Sequence, residues 1–184
     1  MIKNFVQGDI EKIQIDEGIV VLNYKLDGQK ILGPTRGGVE GTIAPKIRDI
    51  DFDGRRGKTK GLQVKDEEDV TIKIKTLCCS QENLKLATIN TTVAKDGTKK
   101  IEQGDFGVIK KENYLENIAV VTKTLDNKYK VLIVKNAMHE GNFDFKFIPK
   151  AENEHNLEFY GHYNPENLEE KIWSIEEADT DPLV

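Results

Sequence analysis

Three aspartates and a glycine in this chain have the spacing of a calcium-binding loop. Asp49, Asp51 and Asp53 alternate and Gly54 follows directly, as in the first half of a helix-loop-helix calcium site, where carboxylates are ligands and glycine permits the turn. The twelfth position of such a loop is a bidentate glutamate, but here it is Lys60. We therefore interpret the aspartates as part of a solvated strand that enters a turn.

The next residues partly match a phosphate-binding loop. Gly57, Lys58 and Thr59 correspond to its end, where backbone amides and the lysine bind phosphates. The motif also needs a glycine five positions before Gly57, and Phe52 stands there. A small β-barrel binding module or enzyme that uses the Asp49–Lys60 loop for calcium or phosphate is therefore kept only as the alternative function.

The same stretch carries the basic cluster Arg55, Arg56, Lys58 and Lys60. Such a cluster could contact nucleic-acid phosphates, but the net charge of the chain is -5, and a general nucleic-acid binder needs a net basic face. An acidic block follows at residues 66–69. We interpret the basic and acidic groups as surfaces that join copies of the chain head to tail, in rings or stacks.

The other reactive side chains suggest no catalytic centre. His139, His155 and His162 share no metal-ligand spacing. Cys78 and Cys79 are adjacent, which disfavours a disulfide between them, and we expect one in the core and one at a strand edge as reduced thiols. The sequence thus predicts no catalytic residue, no metal and no cofactor, and a protein that is not an enzyme.

Period-two alternation of hydrophobic and polar residues predicts a mainly β fold. The clearest alternation covers residues 69–79, with Val70, Ile72 and Ile74 on a buried face and Thr71, Lys73 and Lys75 on a wet one. Further strands are predicted at 18–26, 29–32, 39–43, 46–52, 118–125, 129–134, 143–147 and around Leu157–Phe159. The turn residues Asp27-Gly28, Asp53-Gly54 and Asp126-Asn127 separate them.

One helix is predicted near residues 80–89, with Ser80 as its N-cap. With 184 residues and no evident linker, the chain fits a single domain over residues 1–184. Its β-domain is expected at about 15–163 and an extended arm at 164–184, where Trp173 would anchor the arm to a protein surface. No apolar run is long enough to span a bilayer and no signal peptide is visible, so we expect assembly in the cytoplasm and no membrane partner.

Several short motifs follow one another in a characteristic order and spacing over about residues 15–175. They are Arg36-Gly37-Gly38, Arg48-Asp49-Ile50, Asp53-Gly54, Gly57, Lys60-Gly61, Glu82-Asn83-Leu84, Tyr114–Ile118 and Phe159–His162. In this order and spacing the chain resembles the major tail (tube) proteins of long-tailed bacteriophages and prophages.

The resemblance implies a β-sandwich or barrel with one flanking helix, a long inter-strand loop and terminal arms. It also implies homo-oligomeric rings, six copies each, that stack around a tape-measure protein in the virion tail and end at tail terminator and distal tail proteins. DNA passes through such a tube without specific binding. The long loop would be about Lys46–Asp69. Its predicted contact residues are Arg48, Asp51, Asp53, Arg55, Arg56, Lys58 and Lys60.

Overall fold

The chain folds mainly into antiparallel β-structure in the computed structural model, which describes residues 7–93 and 100–183. Strand residues make up 44% of the structure and helical residues 7%, which confirms the predicted mainly β fold class. In the described ranges the strands are β1 (Ile19–Leu22), β2 (Lys30–Ile31), β3 (Thr35–Asp49), β4 (Gln63–Thr76), β5 (Thr92–Val93), β6 (Ile101–Glu102), β7 (Leu115–Lys123), β8 (Tyr129–His139), β9 (His155–Tyr160) and β10 (Trp173–Ala178). The helices are α1 (Gln7–Ile10) and α2 (Gln81–Leu86), with a 3-10 turn at Lys111–Asn113.

Strand β8 joins two groups of strands into one sheet. The strand order is β2-β1-β7-β8-β9-β4-β3, and β10 also pairs with β8. The first part of β8 lies between β7 and β10, whereas its last two residues, Met138 and His139, pair with β9. The short β5–β6 hairpin forms a separate sheet. The β7–β8 hairpin turns at the predicted Asp126-Asn127 pair, where Asn127 has φ +64°.

The main core lies between these two groups of strands. It combines Val20 and Val134 from one group with Val70, Ile72 and Phe159 from the other, all at most 1% exposed. The alternation predicted for β4 is therefore confirmed on its inner face. On the other face Lys73 and Lys75 are exposed as predicted, but Thr71 is buried.

Residues 39–43 and 46–52 were predicted as separate strands, but one edge strand, β3, spans Thr35–Asp49. Its register with β4 shifts between Lys46 and Ile47, close to the slip in the alternation at residues 48–49. Pro45 is tolerated because β3 is an edge strand, with β4 as its one partner among the described strands.

Helix α2 flanks the core as predicted, but it ends at Leu86 instead of residue 89. Ser80 caps it, since the amide of Asn83 donates to the Ser80 hydroxyl oxygen at 3.2 Å. The buried Asn83 amide group donates to the carbonyl oxygens of Leu32 at 3.1 Å and Cys78 at 3.2 Å. This side chain ties the helix to the chain beyond β2.

Two expectations for the second half differ from the structure. Residues 143–147 were predicted as a strand, but they form no strand: Phe143 stacks on His155, while Phe145 and Phe147 are 56% and 85% exposed. The segment at 164–184 was expected as an extended arm, yet β10 pairs with β8 over Trp173–Ala178. The alternation of hydrophobic and polar residues within this segment is too weak to predict a strand. The strand forms through its backbone pairing with β8.

Candidate interaction surface

The β3–β4 hairpin extends beyond the rest of the domain. β4 pairs with β9 only from Thr71 to Thr76, so its residues from Gln63 to Asp69 have β3 as their only partner strand among the described residues. At about 3.4 Å per residue, this part is roughly 20 Å long. The predicted Lys46–Asp69 loop is therefore mostly strand, and the connection at its tip is residues 50–62.

Cross-strand ion pairs accompany the backbone ladder of the hairpin. The Lys46 ammonium lies 2.8 Å from Glu67 and 3.1 Å from Asp69, and the Arg48 guanidinium lies 2.8 Å from Asp66. Because Lys46 and Arg48 donate hydrogen bonds to these carboxylates, the pKa of each basic group is raised. The acidic block at residues 66–69 is therefore engaged within its own hairpin. That the block meets the basic cluster of another copy stays a prediction.

Asp49 holds the base of the tip in place. One carboxylate oxygen accepts a hydrogen bond from the Gln63 amide at 2.8 Å and the other pairs with the half-buried Arg55. These two hydrogen bonds, Gln63 first, lower the pKa of Asp49. Asp51 lies 3.5 Å from the same guanidinium. In the described part of the chain, no three His, Cys, Asp or Glu side chains are arranged to hold a metal ion.

The Gly57-Lys58-Thr59 sequence lies in the tip and is not followed by a helix, because β4 begins at Gln63. The carbonyl oxygen of Gly57 points inward, accepting hydrogen bonds from Arg55 Nε at 2.8 Å and from the Thr59 hydroxyl at 3.3 Å. A phosphate cradle requires converging amide N–H groups and the start of a helix. The geometry of this tip therefore offers no phosphate site of that type.

The seven predicted contact residues all lie on this hairpin, but they form two groups. Arg48 and Arg55 are engaged within it, Arg55 with Asp49 and Asp51. Exposed basic side chains without an ion pair to any described residue are Arg56, Lys58 and Lys60; Asp53 is exposed as well. These three positive charges are thus the part of the tip that is available to another molecule.

Sequence reasoning missed the exposed hydrophobic residues of the hairpin. Ile47, Ile50 and Phe52 are 60%, 41% and 47% exposed, although their alternation had been interpreted as the face of an ordinary strand. The sequence signal that was missed is the high density of charged residues around these three positions. Among the described residues, the segment has no second layer of structure that covers its apolar face. Exposed hydrophobic residues rimmed by charge are typical of a protein interaction surface.

Strand edges are also open in the part of the chain that the structure describes. β3 pairs only with β4, β2 only with β1, and β10 only with β8. Open edges present rows of unpaired N–H and C=O groups that can pair with a strand of another molecule. β3 is the longest of the three.

The remaining candidates are dispersed. His139 and His155 are buried against aromatic rings, while His162 contacts Glu140 at 2.7 Å on the surface. Cys78 is half-buried and Cys79 is exposed, and both are free thiols. Trp173 packs against the main core and donates from Nε1 to Glu68 at 2.6 Å, so it anchors β10 to the protein's own surface.

Comparison with known proteins adds no family assignment. No protein-family model matches the chain, and no curated protein matches it either. In the described residues, the helices are all too short or too polar to cross a lipid bilayer.

Proposed function

We propose that this protein is a structural subunit that assembles with copies of itself into stacked rings, forming the tail tube of a bacteriophage. The observation that carries the proposal is the β3–β4 hairpin, which leaves the body of the domain with exposed Ile47, Ile50 and Phe52 beside uncompensated positive charge. A free monomer gains nothing from such a tip, whereas an assembly buries it.

The fold and the motif order support the same function. A mainly antiparallel fold with a flanking helix and one long hairpin agrees with what the motif resemblance implies. The open edges of β2, β3 and β10 could pair between neighbouring copies and close a ring of strands. The hairpin would then reach the next ring, and the ring would enclose DNA that slides along the tube, with a tape-measure protein before it.

The proposal places the protein in the virion tail, with terminator and distal tail proteins at the two ends of the tube. It assigns no catalysis. A calcium- or phosphate-binding role for the Asp49–Lys60 loop receives no support from the tip, because Asp49 is engaged by Arg55 and Gln63.

Electron microscopy of the purified protein over a range of concentrations tests the proposal. We expect rings or tubes of one diameter, with a critical concentration. Sedimentation as a monomer at every concentration and ionic strength, together with absence of the protein from purified tails, would overturn it. A thermal shift with calcium or nucleotide that is lost in Asp51→Ala or Lys58→Ala would instead support the binding module.

A further inference from the structure

Residues 143–147, which we call the phenylalanine segment, have the sequence of a half-buried strand but no partner strand among the described residues. Three phenylalanines alternate with Asp144 and Lys146. No backbone hydrogen bond joins these five residues to another described residue. Unpaired N–H and C=O groups beside exposed hydrophobic side chains are the features of a strand that pairs with another molecule.

The start of the phenylalanine segment is anchored to β9. The ladder between β8 and β9 ends at His139. The Glu140 amide then donates to the Glu158 carbonyl at 3.1 Å, and the ring of Phe143 stacks on that of His155, with the centroids 5.3 Å apart. Both contacts keep the register of the ladder, so the chain continues the line of β8 along β9 as far as Phe143.

Beyond Phe143 the segment stays extended but leaves the body of the domain. The rings of Phe143 and Phe145 lie 4.9 Å apart and those of Phe145 and Phe147 lie 6.3 Å apart, as on one face of an extended chain. The exposed fraction rises to 56% at Phe145 and 85% at Phe147. A backbone that is already extended loses less conformational entropy when it pairs with another strand.

The two charged residues of the segment are available to another molecule. Asp144 and Lys146 are exposed, and neither makes an ion pair with a described residue. Lys146 lines a surface cavity of about 340 Å³ together with Glu152 and Glu154. Both glutamates, however, are paired with Arg36, at 3.0 and 3.2 Å.

The sequence Phe-Asp-Phe-Lys-Phe is complementary to itself in an antiparallel pair. With Phe145 on a two-fold axis, Asp144 of each copy lies opposite Lys146 of the other. Phe143 of each copy then lies opposite Phe147 of the other, and the two Phe145 side chains face one another. Residues directly opposite in an antiparallel pair have Cβ atoms about 4.5–5.5 Å apart, and opposite-charge and aromatic pairs there stabilise the contact.

We propose that the phenylalanine segment pairs with the same segment of a second copy of this chain, as an antiparallel two-stranded contact about a two-fold axis. Such a contact is isologous and closes at two copies. It is therefore separate from the head-to-tail contact of the proposed function and does not rest on it. Five residues from each copy are far fewer than the roughly 20–30 a side of a standard interface, so we expect a dissociation constant above about 1 µM.

The other open strand edges are less suited to pairing with themselves. β10 carries Glu176 and Glu177 but no basic residue, so a self-pair gains no opposite charge, and β2 has two residues. In β3 the basic residues Arg36, Lys46 and Arg48 are already paired with acids of the same copy. Among the described edges, the phenylalanine segment alone combines unpaired charges of both signs with exposed aromatic rings.

Charge reversal with rescue tests the pairing. Asp144→Lys alone, or Lys146→Asp alone, places like charges opposite one another at both ends of the contact. Each is expected to raise the dimer dissociation constant, measured by analytical ultracentrifugation, by about tenfold or more. The melting temperature of the monomer should stay near that of the wild type, because both residues are exposed. Asp144→Lys with Lys146→Asp restores the opposite charges and the net charge, and is expected to restore the dimer.

The matched control is Glu166→Lys, an exposed acid elsewhere that makes no ion pair with a described residue. It changes the net charge as Asp144→Lys does and should dimerise like the wild type. Equal dimerisation of the wild type and Asp144→Lys, or a double variant that fails to recover, would overturn the contact. So would a wild type without a species of twice the monomer mass at any concentration. Rings and tubes are a separate readout, since their absence would overturn the proposed function and leave the two-stranded contact standing.

Discussion

His139 is a buried titratable group outside the proposed contact surfaces. It is 2% exposed, packs edge-on against Phe159, and its Nε2 has no hydrogen-bond partner among the described residues. Burial lowers the pKa of His139 below 6.5, more strongly than the Asn156 backbone, Glu158 and Glu140 raise it. The net effect of the surroundings therefore favours the neutral imidazole.

Acidification is expected to destabilise the domain through this residue. The folded state binds the His139 proton less readily than the unfolded chain, so stability falls as pH drops through about 6.5 and stops changing once pH is below the folded pKa. Melting temperatures at pH 7.5 and 5.0 measure the effect. The difference between them should shrink in His139→Gln; an unchanged difference would contradict the assignment.

Gly161 is a position where a single methyl group matters. A Cβ added there would lie 2.6 Å from Cγ1 of Val134, a fully buried β-branched side chain, and 3.5 Å from the Lys135 carbonyl oxygen. Gly161→Ala is expected to cost about 1–3 kcal/mol of unfolding free energy, measured by urea denaturation. Gly8→Ala, which meets nothing within 4 Å and lies in α1, is the control and should not destabilise the protein, because alanine is favoured over glycine in a helix.

At the scale of elements, β10 pairs with β8 and is also linked to β4 through one tryptophan. The Trp173 ring packs on the main core while its Nε1 donates to Glu68 at 2.6 Å. Hydrogen bonds from Lys65 and then from Trp173 lower the pKa of Glu68. The attachment of β10 thus combines apolar burial with a charge-assisted hydrogen bond.

Trp173→Phe should separate these two contributions. It keeps most of the ring packing but removes the hydrogen bond to Glu68, which should cost about 1–3 kcal/mol because the acceptor is charged. Chemical denaturation measures the loss. Ile175→Val on the same strand, where the side chain is 60% exposed, serves as the control, and an equal loss in both variants would contradict a specific role for the indole.

At the scale of the whole molecule, the hairpin divides into a part that supports the domain and a part that does not. Replacing Ile47–Asp66 by Asn-Gly joins the cross-strand partners Lys46 and Glu67 directly through a two-residue turn. Among the described residues, the strand pairs of the removed segment join its own residues, and its ion pair with the retained chain is that of Lys65 with Glu68. The monomer should therefore remain folded. Its melting temperature should lie close to that of the unassembled wild type.

The same variant should separate folding from assembly. If the wild type assembles as proposed, its apparent free energy of unfolding should rise with protein concentration, by up to about 1.4 kcal/mol for each tenfold increase. The shortened variant should melt at one temperature at every concentration. Scanning calorimetry over a hundredfold range measures this, and a concentration-dependent melt in the variant would show that the hairpin tip is not required for assembly.

The sequence by itself determined those structural features that depend on residues close together along the chain. Alternation identified β4 and its buried face, Ser80 marked the start of α2, and Asp126-Asn127 located a hairpin. These are short-range effects: side-chain period, capping and positive φ. They suffice for the fold class.

Tertiary structure decided what depends on partners distant in sequence. Only strand pairing shows that two predicted strands form one β3, that the phenylalanines at 143–147 lack a partner strand in the described chain, and that β10 has one. Likewise, pairing across the hairpin neutralises the acids at 66–69 and leaves Arg56, Lys58 and Lys60 available. The sequence shows which residues are charged. Which of these charges are paired with an opposite charge depends on which strands lie side by side.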